Sequence, residues 1–88
     1  MSDVITEARE AIDGVDLELL DAVNRRLELV RQLHQHKLAT GLPLRDPGRE
    51  DSLIGRLQEA NGGPLSAEGV AELFHSVLDL IRRELHGS

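Results

Sequence analysis

Ile5, Ala8, Ile12, Val15, Leu19, Val23, Val30 and Leu33 recur at steps near three and four, and the run ends only at Gly41 and Pro43. That spacing is the helical period. It predicts one helix of roughly forty residues, opening near Ser2-Asp3 with a capping residue and an acid in its first turn. Gly14 inside the run costs about 1 kcal/mol relative to Ala, which softens the first turns without ending them. In a chain of 88 residues such a helix is longer than a small globule can cover. A second chain is the natural cover, so the expectation is an intermolecular helical bundle, a homodimer, with one domain over residues 1–88.

The remainder reads as two shorter helices. Gly41-Leu42-Pro43-Leu44-Arg45 is a tight connection, and Asp46-Pro47 opens a second helix with Asp as N-cap and Pro at the first helical position. This helix runs to about Ala60 and turns Leu53, Ile54 and Leu57 inward. Asn61-Gly62-Gly63-Pro64 ends it, with glycine available for a left-handed cap. Ser66 caps a third helix with Glu68 in its first turn. Its buried stripe is Val70, Leu73, Phe74, Val77, Leu78, Ile81 and Leu85. With no strand signal and no repeat, the class is all-α: three helices, long, short and medium.

Charge and composition narrow the function. The net charge of -6 argues against nucleic acid, whose phosphates need a basic surface. Phe74 is the one aromatic residue, so there is no stacking platform for bases. The absence of Cys removes disulfides, thiolate catalysis and cysteine-based metal sites. No apolar stretch approaches the roughly 20 residues of a membrane span, and no signal peptide is evident, so a cytoplasmic location is expected.

Against that acidic background two cations stand on an apolar face. Arg26, Val30, Leu33 and Lys37 follow at i, i+4, i+7 and i+11, continuing the line of Ile12, Leu19 and Val23. Arg26 and Lys37 are three turns apart, roughly 16 Å of rise. Leaning toward each other over a floor of Val30 and Leu33, they leave a gap suited to a small polar anion. Snorkelling, with the stems on apolar surface and the heads in water, also fits these residues.

Arg9 lies seventeen residues before Arg26, about 25 Å along the helix, and points roughly 100° away. Both reach one small ligand only if Arg9 comes from an antiparallel partner helix. A second cluster, Arg45-Asp46-Pro47-Gly48-Arg49-Glu50, opens the second helix, where free N–H groups and the dipole favour anions. Arg49 offers a planar fork for a carboxylate, and Glu50 or Asp46 an acceptor for a hydroxyl. An ordinary helix start with surface charges has the same composition. His34 and His36 point to different faces, and His75 and His86 are eleven apart, so no metal pair is expected. No nucleophile motif, phosphate loop or dinucleotide fingerprint occurs.

The series Ala8-Arg9, Ile12-Asp13, Arg25-Arg26, Lys37 and Pro43-Leu44-Arg45-Asp46-Pro47-Gly48-Arg49-Glu50 resembles the small all-helical class of chorismate mutases over nearly the whole chain. The resemblance implies an intertwined dimer of three-helix chains with two equivalent sites and no cofactor. It implies that Arg26, with Arg9 of the other chain, holds the two carboxylates of a small dicarboxylate substrate. Lys37 would bond a carboxylate and the ether oxygen. Arg49 would line the site, and Glu50 and Asp46 would take the ring-hydroxyl side.

The third helix departs from that pattern. The usual small hydroxyl residue falls on Ile81, and the Gln or Glu that helps hold the ether oxygen falls on Leu85. Glu84 and His86 are the polar neighbours, and a one-residue shift after the Asn61–Pro64 loop would bring Glu84 into place. The rearrangement of chorismate to prephenate, a step of aromatic amino-acid biosynthesis, needs orientation and charge stabilisation rather than a nucleophile or metal. A set of Arg and Lys suits it. Three alternatives stay open: an isochorismate-pyruvate lyase or aminodeoxychorismate mutase on the same scaffold, a regulatory or partner-binding helical module, and a purely structural dimer. A larger enzyme of the shikimate pathway is a further candidate partner.

Overall fold

A computed structural model of the chain describes residues 2–41 and 47–87. The described residues form three α-helices: α1, Ser2–Thr40; α2, Pro47–Ala60; and α3, Ala67–Gly87. The long, short and medium all-α order expected from the periodicity is the one observed, and no strand occurs among the described residues. Asp46, the expected N-cap of α2, lies outside the described residues.

Local chemistry sets the helix ends. Gly41 follows α1 with φ of 76°, the left-handed conformation that costs glycine nothing and stops the helix. Thr40 Oγ1 donates back to the His36 carbonyl at 2.9 Å, closing the last turn. Pro47 is the first residue of α2, where its missing N–H is no loss. Ser66 caps α3 as its position predicts: its Oγ accepts from Gly69 N at 3.0 Å, and its carbonyl accepts the first helical bond from Val70 N at 2.9 Å.

The α2–α3 connection differs from expectation. Among the described residues Gly41 is the only one with positive φ, so neither Gly62 nor Gly63 forms a left-handed cap. Asn61 makes the turn instead. Its Oδ1 accepts from Gly63 N at 3.1 Å and its Nδ2 donates to the Leu65 carbonyl at 2.6 Å, a side-chain turn that leaves glycine φ ordinary. Gln58 Nε2 then donates to the Ala67 carbonyl at 2.9 Å, tying the end of α2 to the start of α3.

The chain divides into two compact units, Met1–Val30 and Arg31–Ser88. The first is helix alone. Its apolar line is uncovered within the chain: Ile5, Ile12, Val15 and Leu19 are 54 to 60% exposed, and only Val23 and Val30 are half-buried. The second unit comprises the last turns of α1 together with α2 and α3. Its core is Ile54, Val70, Leu78 and Ile81, all at most 8% exposed, flanked by half-buried Leu53, Leu57, Phe74, Val77 and Leu85. Leu73, expected in this stripe, is 42% exposed. At 100° per residue it sits roughly 90° from the middle of the line through Val70, Leu78 and Ile81, beyond the reach of α2.

Candidate active site

The expected site residues fall in both units. In the first, Arg9 is exposed and Arg26 half-buried on α1. Seventeen residues of continuous helix keep them about 25 Å apart, so this single helix does not bring them together. Arg25, beside Arg26, pairs with Asp21 at 3.3 Å across one turn, with both side chains about 70% exposed. A pair that open to water is worth little.

In the second unit Lys37 is half-buried in the last turn of α1, where a cation also suits the negative end of the helix dipole. The covered side of this segment differs from the expected floor, because Leu33 is 44% exposed while His34 is half-buried. The His86 ring of α3 meets His34 edge to face, with centroids 6.4 Å apart. Neither spacing of histidines along the chain pointed to this pair.

Arg49 and Glu50 occupy the first turn of α2, Arg49 exposed and Glu50 half-buried. On α3, an unbroken helix to Gly87, Ile81 is 3% exposed in the core, Leu85 half-buried and Glu84 exposed. An ion pair between α2 and α3 involves a residue that the sequence did not single out. Arg82 donates through Nη1 to Glu50 Oε1 and through Nη2 to Asp79 Oδ1. Its pKa is raised above the ordinary value, first by the hydrogen bond to Asp79, against the opposing effect of burial, with the charges of Glu50 and Asp79 adding to the rise. The Asp79-x-x-Arg82 spacing was a visible cue for a pair on one helix. Glu50, thirty-two residues away, was not.

Among the described residues no group of three or more His, Asp or Glu side chains is placed to hold a metal ion, and no helix is long and apolar enough to cross a membrane. Of the expected site residues, Arg9 and Arg26 belong to the first unit, and Lys37, Arg49 and Glu50 to the second, where the Glu50 carboxylate is held by the Arg82 guanidinium. Cations of this kind can orient and electrostatically stabilise a small anion.

The profile described as chorismate mutase type II matches residues 8–85. The "T-protein" of Enterobacter agglomerans is 40% identical over 86 residues, which are 96% of this chain and 22% of that protein. The bifunctional chorismate mutase/prephenate dehydratase of Neisseria gonorrhoeae is 36% identical over 78 residues, 89% of this chain and 21% of its own length. The chain thus spans about a fifth of the length of these curated relatives. The solved structure of chorismate mutase (Form I) from Thermus thermophilus superposes with a TM-score of 0.85 at 30% identity, over 88% of this chain and 96% of that one. Helix order, charge series and a match across nearly all of its length therefore place this chain in the chorismate mutase type II family.

Proposed function

We propose that this chain is a chorismate mutase that works as a homodimer. The observation that carries the reading is the match to the Thermus thermophilus chorismate mutase over 96% of that chain, since little of that fold lacks a counterpart here. The reaction is unimolecular. The ether C–O bond breaks as a C–C bond forms, and no proton, electron pair or leaving group is exchanged with the protein. The protein's task is to hold a dianion folded and to stabilise charge on the ether oxygen as the bond breaks.

Arg26 and, from the second chain, Arg9 bind the two carboxylates. Lys37 donates to a carboxylate and to the ether oxygen, Arg49 lines the site, and Asp46 and Glu50 face the ring hydroxyl. The usual polar partners on the third helix are here Ile81 and Leu85, so Lys37 carries more of the ether-oxygen stabilisation, with Glu84 and His86 the polar neighbours on α3. The uncovered line of Ile5, Ile12, Val15 and Leu19 supports the dimer: four large apolar side chains at helical spacing are what a second copy of α1 would cover. The two copies then make one folded domain over residues 1–88.

The test is the loss of chorismate absorbance in the near ultraviolet with purified protein, with prephenate identified by NMR. The chain has no Trp or Tyr to obscure that window. Isochorismate in a parallel reaction, followed for released pyruvate, separates mutase from lyase. A folded protein that leaves chorismate unchanged would refute the reading.

A further inference from the structure

The Arg82 guanidinium spans two helices. One arm is fixed to Asp79 one turn earlier on α3, and the other reaches Glu50 Oε1 on α2. The side chains of Arg82 and Glu50 are 33% and 25% exposed, against about 70% for the Arg25–Asp21 pair, so water screens this contact less. The flanking residues Leu78 and Ile81 are in the core at 8% and 3% exposure, which fixes the rotation of α3 beneath Arg82. A guanidinium so placed has few rotamers left, and it passes that order to a Glu side chain that would otherwise explore three torsions.

We propose that Arg82 is a positioning residue for substrate binding, holding the Glu50 carboxylate by Oε1 so that Oε2 is presented to the ring hydroxyl. This rests on the chorismate mutase reading above and deepens it. Two effects follow. A carboxylate already ordered loses no freedom when substrate arrives, which favours the reactive geometry. The adjacent guanidinium also offsets the negative charge of Glu50, which would otherwise repel a dianionic substrate. Asp79 acts one step further back, by setting the direction of the guanidinium.

The test is steady-state kinetics on chorismate together with thermal unfolding, for Arg82→Met, Arg82→Lys, Asp79→Asn, Glu50→Gln and the Arg82→Met/Glu50→Gln double variant. Arg82→Met keeps the stem and removes the fork. Its kcat/KM is expected to fall roughly tenfold, within what one charge-assisted hydrogen bond supplies, with KM raised and kcat lowered. Arg82→Lys should recover part of that loss by restoring the charge. The double variant should be no worse than the poorer single one, because both changes break the same contact. An unfolding midpoint lowered by Arg82→Met with kcat and KM unchanged would make Arg82 a mere clasp between helices and overturn the proposal. Additive losses in the double variant would overturn it equally. Should Arg82→Met fail to fold, Asp79→Asn decides, with a few-fold fall in kcat/KM expected and no change refuting. A folded parent inert to chorismate would sink the mutase reading and this inference with it, whereas an active parent with an indifferent Arg82 sinks this inference alone.

Discussion

Leu19→Ala tests whether a second chain covers α1. Leu19 is 54% exposed within the chain, so about half of its burial has still to be gained. Full burial of a Leu side chain is worth about 1.5–3 kcal/mol, which leaves roughly 1–1.5 kcal/mol per copy for an interface to supply. A symmetric dimer contains the residue twice, so the substitution should weaken association by roughly 2–3 kcal/mol, with any residual cavity adding to that. In affinity this is roughly thirty- to hundred-and-fifty-fold. If α1 stayed uncovered, a half-exposed Leu→Ala would cost little, because Ala is the better helix former. The assay is sedimentation equilibrium over a dilution series, paired with the concentration dependence of the melting temperature. Glu18→Ala, one position away and exposed, is the control and should change association by a few tenths of a kcal/mol at most. A parent that sediments as a folded monomer at micromolar concentration, or a Leu19→Ala protein with the parent's dissociation constant, would refute the reasoning.

Arg26→Ala and Lys37→Ala should each remove most of the activity, with Lys37→Ala acting more on kcat because its ether-oxygen bond strengthens in the transition state; steady-state kinetics would show a loss of about 3 kcal/mol, a hundredfold or more. Arg9→Ala and Lys37→Ala should be nearly inactive alone, yet refolding them together should restore about one quarter of the parent activity per chain, since half the chains then form heterodimers with one intact site. No recovery in a folded, mixed sample would mean that Arg9 does not cross between chains. Ser66→Ala removes the acceptor for Gly69 N and should destabilise the fold by about 1 kcal/mol, read by urea unfolding.

The features legible in the sequence are those decided within a few residues. The length of α1, its stop at Gly41, the Pro47 start of α2 and the Ser66 cap of α3 depend on local backbone conformation and on donors one turn away. The charge series Arg26, Lys37, Arg49 and Glu50 was legible for the same reason, since residue type and spacing along a helix are written directly in the chain. The Asn61 turn shows the margin of such reading: Asn and Gly both end helices, and only the backbone tells which one acts. Other features required the helices to be laid against one another. Leu73 carries the right residue for a core but sits off the line that α2 covers, and His34, half-buried where Leu33 is exposed, meets the His86 ring of α3. The contact of Arg82 with Glu50 belongs to the same class. Thirty-two residues separate the pair, and their meeting is set by the α2–α3 crossing, which packing in the Ile54, Val70, Leu78 and Ile81 core decides. Periodicity reports which face of a helix is apolar; what covers that face depends on distant segments whose placement only the folded chain fixes.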